Sequence, residues 1–240
     1  MTWQVPRIWE GGDVWILGGG PSVPKQFGIP DEVVMKVIKG TSPPSIYSSY
    51  MSGLHDKHVI GINVAYLIGN WIDMVFFGDK GFYLKHRQEL AKFPGLKISC
   101  LSSLDSVSWV KYVPRDSNHT RGISENPKMV SWNKNSGAAA ISVAAHAGAK
   151  RIILLGFDMK LDGEKQHWHD LYGKYADRNT RNPKKPRHLP FDRHLRGFSA
   201  IAQDAKRMGI SIWNVSPDSA IQEFPKVSLE EMFNILKKVG

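Results

Sequence analysis

Two histidines one residue apart, His167 and His169, stand in a polar stretch that also carries Asp158, Asp162 and Asp170. In an extended segment their imidazoles share a face, so with Asp158 they would bind a metal ion or supply an acid and a base. The alternative is a solvated loop of mixed charge. His194 falls at the start of an apolar-periodic run. There the positive end of a helix would lower its pKa and favour a neutral imidazole able to take a proton. A third feature lies far upstream, where Gly18-Gly19-Gly20-Pro21-Ser22 follows the apolar run Val14 to Leu17. Glycines let backbone N–H groups approach an anion, and Ser22 adds a hydroxyl or a helix cap, so the loop suits a phosphate. A tight strand-to-helix turn without a ligand is the plainer reading.

Smaller signals fit the same chemistry. Asn63 ends an apolar run, where its amide would meet a ribose hydroxyl or a base, or merely form a turn. Asp79, in Phe77-Gly78-Asp79-Lys80, would hold a divalent cation against a phosphate, bind a sugar hydroxyl, or cap the helix that follows. Asn135-Ser136-Gly137 opens a run of small residues. Its N–H groups and the Ser136 hydroxyl offer a second anion or carbonyl site, or Ser136 acts as an N-cap alone. Tyr172 and Tyr175 lie near enough in sequence to bind or protonate a leaving phosphate, and His146 reads as structural.

The glycine loop matches neither common phosphate loop. Walker A closes on Lys-Ser/Thr, but here Lys25 follows Pro24 and precedes Gln26. The dinucleotide fingerprint needs glycine where Val23 stands and an acidic residue after the next strand, which ends in Asn63. NAD and a P-loop ATPase are therefore disfavoured.

The elements that must position these residues alternate. Strands are expected at 58–62, 74–77, 97–101, 151–155 and 210–215 as well as in the first apolar run. Helices are expected at 29–39, 82–93, from Ser136, at 191–208 and at 228–239, the last with Ser228 as N-cap and Glu231 three residues on. Residues 40–52 read as a loop that would fold over a ligand. Irregular insertions are expected at about 102–128 and 160–190. The alternation predicts one α/β domain over residues 1–240, Rossmann-like, with a mostly parallel sheet and helices on both faces. In such sheets ligands lie beyond the carboxyl ends of the strands, where the glycine loop, Asn63, Asp79, Asp158 and Ser216 all fall.

At 240 residues and 42% hydrophobic, the chain supports one substantial core. Cys100 is its single cysteine, which excludes an internal disulfide, and no apolar run is long enough to span a bilayer. A cytoplasmic protein is expected. The net charge of +10 favours acidic partners. Between Lys174 and Arg196, Arg178, Arg181, Lys184, Lys185, Arg187 and Arg193, with His188 and His194 and few acids, would form a lid over a polyphosphate, a patch for nucleic acid, or a merely solvated loop.

The order of Leu17-Gly18-Gly19-Gly20-Pro21-Ser22, Asn63, Asn135-Ser136-Gly137, Ile153-Leu154-Leu155-Gly156-Phe157-Asp158 and Ser216-Pro217-Asp218-Ser219 resembles a known superfamily. It joins the bacterial sialyltransferases of glycosyltransferase family 42, the flagellin-modifying motility-accessory proteins and the MptE-like 6-hydroxymethylpterin diphosphokinases. The chain is most similar to phage-encoded members. The resemblance implies Gly18, Gly20, Pro21, Ser22, Asn63, Ser136 and Gly137 as contacts to a cytidine nucleotide and His194 as the base, with Asn135 in place of the family's Thr. It leads to a transferase using a CMP-, UDP- or GDP-linked sugar, with a glycan, DNA or another acidic molecule as acceptor. In the diphosphokinase branch, Asp79 and Asp158 would instead hold Mg²⁺ and ATP. A non-catalytic nucleotide- or nucleic-acid-binding protein is the third expectation.

Overall fold

Asp13–Leu17 is buried from Val14 onward on both faces, as only a central strand of a covered parallel sheet can be. The computed structural model describes residues 3–172 and 189–239. Seven strands run β1 (Asp13–Leu17), β2 (His58–Ile62), β3 (Met74–Phe77), β4 (Leu96–Ser99), β5 (Lys111–Tyr112), β6 (Arg151–Leu155) and β7 (Ser211–Asn214). Their order is β5-β4-β3-β2-β1-β6-β7, and every pairing is parallel. The chain builds outward from β1 in one direction and then returns to its other side with β6. That reversal opens a crevice between the carboxyl ends of β1 and β6, the usual ligand position in open parallel sheets.

The alternation along β1 divides the core. Val14 and Ile16 face a layer made by α4 (Ser136–His146) and α6 (Phe198–Arg207), through Ala140, Ile141, Phe198 and Ile201. Trp15 and Leu17 face the other layer, containing α1 (Ser22–Gln26), α2 (Asp31–Ile38), α3 (Lys80–Lys92) and α7 (Leu229–Val239). All ten α4 residues from Gly137 to His146 are buried, and its small side chains let the helix lie close to the sheet. The capping box of α7 forms as expected: Ser228 Oγ accepts from Glu231 N at 3.1 Å, and Glu231 Oε2 accepts from Ser228 N at 2.7 Å.

Three expectations need correction. The segment read as a loop at 40–52 contains the 3-10 stretch Pro44–Leu54, whose Tyr47, Met51 and Leu54 are fully buried. Burial of that apolar surface fixes it in the core, so it is no flap. The insertion at 102–128 supplies β5, two residues long and therefore without readable periodicity. The helix expected at 191–208 is two helices, α5 (Phe191–Leu195) and α6, interrupted where Gly197 packs against the Asn133 side chain. Among the described residues no helix is long and apolar enough to cross a membrane.

Candidate functional site

The glycine loop leaves β1 at the crevice and is held from several sides. Gly18 N donates to Leu155 O at 2.8 Å and Gly20 N to Gly156 O at 2.9 Å, so the loop lies against the end of β6. A Cβ on Gly20 would stand 2.0 Å from Asp158 Oδ2 and 2.6 Å from Gly156 O. One on Gly137 would meet the Phe157 ring at 2.8 Å, and one on Gly18 would meet Gly156 O at the same separation. These glycines let the loop, the β6 end and the start of α4 close on one another.

The loop's anion comes from the chain itself. Asp158, buried, accepts from Ser22 N at 3.0 Å, filling the position at the start of α1 that a phosphate would take. Ser22 Oγ is hydrogen-bonded to Ser216 Oγ at 3.0 Å, which ties in the end of β7. Asp158 is therefore a fastener of the loop. The N–H groups of Gly18, Gly20 and Ser22 are taken and Pro21 has none, so in the Gly18–Ser22 loop only Gly19 N–H is left without a partner among the described residues.

At the start of α4 the cap is Asn135, and Ser136 is the first helical residue. Asn135 Oδ1 accepts from Gly137 N at 2.9 Å and Ala138 N at 3.3 Å, consuming the amides that would have met an anion. The Ser136 hydroxyl keeps no partner among the described residues. Asp79 takes its plainer reading, as N-cap of α3, accepting from Phe82 N at 2.9 Å. In the sheet it is separated from Asp158 by three strand spacings, about 14 Å. The pair therefore does not fit a single Mg²⁺, and among the described residues no group of three metal-binding side chains converges.

The paired histidines do converge. Trp168 donates its backbone N–H to Gly19 O and its indole N–H to Gly18 O, both at 3.0 Å. Its ring packs edge-on against Tyr47 and is fully buried. This clasp holds the flanking imidazoles over the glycine loop. His167 and His169 stack with centroids 5.2 Å apart and planes 3° apart, and Tyr172 meets both edge-on at 4.9 and 4.7 Å. Trp168 was not legible as a functional residue. Its only signal was an aromatic flanked by histidines in an otherwise polar insertion.

A hydrogen bond assigns the His169 proton. His169 Nδ1 accepts from Leu171 N at 3.1 Å, so the neutral ring carries its proton on Nε2. Among the described residues that Nε2 is buried without a partner, and so is Asn63 Oδ1. Asn63 holds a left-handed backbone (φ 51°) at the end of β2, and its side chain lies beside Tyr172. The His167 ring lies over the glycine loop, where a Cβ on Gly19 would stand 3.0 Å from its Nδ1. Burial pushes His167 down to about 4 and His169 well below the ordinary histidine range. Burial also raises the Tyr172 hydroxyl.

His194 lies in the last turn of α5, not at a helix start, so the helix dipole is not what makes it neutral. Burial first, then the charges of Arg193 and His167, lowers it to about 4. Its Nε2 accepts a long 3.4 Å contact from Arg193. His146 is structural, with Nε2 hydrogen-bonded to Ser124 O at 2.6 Å. Lys174, Tyr175, Arg178, Arg181, Lys184, Lys185, Arg187 and His188 lie outside the described residues.

No protein-family model matches the chain, and no curated protein matches it. Solved structures do. The monofunctional alpha-2,3-sialyltransferase Cst-I of Campylobacter jejuni is 14% identical over 90% of this chain and 80% of its own, with a TM-score of 0.52. The sialyltransferase CstII of the same organism, in complex with cytidine-5'-monophosphate, is 15% identical over 90% and 84%, with a TM-score of 0.48. At such identities the likeness to Cst-I establishes a shared fold: the chain has the α/β, Rossmann-like, parallel-sheet architecture expected from its sequence.

Proposed function

We propose that this protein is a nucleotide-sugar-dependent glycosyltransferase working at the crevice beside β1. The observation that carries the reading is a pair of buried polar atoms without partners, Asn63 Oδ1 and His169 Nε2, both beside Tyr172. Buried donors and acceptors are costly to leave unpaired, so a neutral acceptor and a neutral donor together call for a ligand with hydrogen-bonding groups of its own. A nucleotide supplies these through its base and ribose. The shared fold with Cst-I supports the transferase class, and the CMP in the CstII structure supports a CMP-linked donor, with UDP- and GDP-linked sugars next in line. Ser136 offers its hydroxyl to the same nucleotide.

In the reaction, an acceptor hydroxyl oxygen forms a bond to the donor's anomeric carbon as the bond to phosphate oxygen breaks. The nucleotide leaves with the electron pair, and the acceptor proton passes to an imidazole. His167, kept neutral by burial and set over Gly19, is the base this geometry favours, and His194 is its neighbour in reserve. His169, protonated on Nε2, donates. An acidic acceptor such as a glycan or phage DNA agrees with the charge of +10. Engagement of Asp79 and Asp158 elsewhere removes the support for a Mg²⁺- and ATP-dependent diphosphokinase.

A thermal-shift panel of CMP, CDP, UDP, GDP, ADP and ATP, each with and without Mg²⁺, tests the reading, because a ligand of the native state raises Tm. Stabilisation by CMP or another donor nucleotide without metal is expected. Stabilisation by ATP only with Mg²⁺, or by none of them, overturns it.

A further inference from the structure

Outside the crevice, one exposed cation is held far more firmly than a surface arginine needs to be. Arg115 stands at the carboxyl ends of β3, β4 and β5. Its guanidinium lies 3.9 Å from the centroid of the Trp132 ring, Nη2 donates to Gly78 O at 3.2 Å, and Nε donates to Cys100 Sγ at 3.4 Å. Trp132 in turn rests directly on the strand end, since a Cβ at Gly78 would fall 2.3 Å from its ring. The Trp132 carbonyl accepts from Asn135 N at 3.1 Å, which joins this platform to the cap of α4. Strand end, indole and guanidinium thus form a stack whose outermost layer is a fixed, planar positive charge.

Two features show what the charge is for. Among the described residues Arg115 has no carboxylate partner, and its Nη1 hydrogens and second Nη2 hydrogen have no acceptor. The nearest acid in sequence to its anchor, Asp79, directs a carboxylate oxygen to Phe82 N instead. A guanidinium with its inner edge occupied and its outer edge vacant presents parallel N–H donors to a planar or tetrahedral oxyanion. Anchoring beforehand removes the ordering cost that a free arginine would meet on binding.

We propose that Arg115, supported by Trp132, is an oxyanion clamp that receives the carboxylate or phosphate of the acceptor. Its assignment to the acceptor rests on the transferase reading, whereas oxyanion binding itself does not. β3 is two strand spacings from β1, about 10 Å, which places the clamp beside the donor nucleotide rather than under it.

Isotope-edited NMR of the arginine Nε–H resonances reads the clamp directly. The Arg115 signal, identified by its loss in Arg115→Lys, is expected to move saturably with inorganic phosphate, with acetate, or with both, and the more effective anion gives the class of acceptor group. Trp132→Leu is expected to weaken that binding about threefold. Should it fail to fold, the titration of the unmodified protein still decides. Saturating CMP should leave the anion response intact. Competition with CMP would move Arg115 to the donor phosphate and overturn the acceptor assignment. An Arg115 signal that moves with neither anion would overturn the clamp itself, whatever the thermal shifts show for the nucleotide.

Discussion

The two corners flanking β1 contrast sharply. At the β1–β6 corner Gly18, Gly20 and Ser22 donate to Leu155, Gly156 and Asp158, and Ser22 Oγ meets Ser216. On the β2 side, Asn63 Oδ1 is buried without a partner among the described residues, as is His169 Nε2 above Gly19. The glycine-rich corner, which reads as the ligand loop, is closed by the protein's own carboxylate. The less conspicuous one is incomplete. The difference separates two uses of polar clusters: a satisfied cluster fixes backbone, and an unsatisfied one awaits a partner.

Substitutions can break this contrast. His167→Gln keeps a polar side chain over Gly19 but removes the base, and should lower nucleotide release from the donor sugar by about a thousandfold while leaving donor affinity nearly unchanged. If His194→Gln has that effect and His167→Gln does not, the roles of the two histidines exchange. Gly20→Ala belongs to the closed corner. Its methyl would overlap Asp158 and Gly156 O, with an expected loss of about 3 kcal/mol in denaturant unfolding. Asn63→Gly belongs to the open corner. Glycine accepts the left-handed backbone, so stability should change by less than about 1 kcal/mol, whereas CMP affinity measured by calorimetry should fall about tenfold. An Asn63 variant that is destabilised by more than about 2 kcal/mol yet binds CMP normally would reverse the assignment of the two corners.

The gentlest probe is pH. Folding lowers His167 and His194 from 6.5 to about 4, so the unfolded chain binds protons first as pH falls. Their contribution is complete above about pH 6.5 and is lost towards pH 4, by up to about 1.4 kcal/mol per pH unit for each histidine. Unfolding midpoints between pH 7 and pH 4 should fall accordingly, with a shallower slope in His167→Gln. The same pKa values predict transferase activity that stays level down to about pH 5.

Much of the frame was legible because it depends on local pattern. β2, β3 and β6 fall on the expected residues, since each is a short apolar run bounded by polar or glycine residues. The pairing of His167 with His169 follows from the two-residue repeat of extended chain and was likewise readable. What could not be read were the partners supplied by distant segments. Nothing near Ser22 says that Asp158 will reach its amide, 136 residues away. Nor does anything near Arg115 say that Trp132 will lie beneath it. The helix break at Gly197 depends on Asn133, from another part of the fold, and the 3-10 stretch at Pro44 is irregular in sequence because its packing is set by the sheet below.

The Trp168 clasp joins residues 150 apart in the chain. On a ribosome adding about 5–20 residues per second, the glycine loop therefore waits on the order of ten seconds for the indole that fixes it. During that interval β1 has β2 on one side and an open edge on the other, because β6 is still unmade. The centre of the sheet is thus among the first segments synthesised and among the last completed, and a nascent chain is most open to aggregation at a strand that later lies inside the sheet.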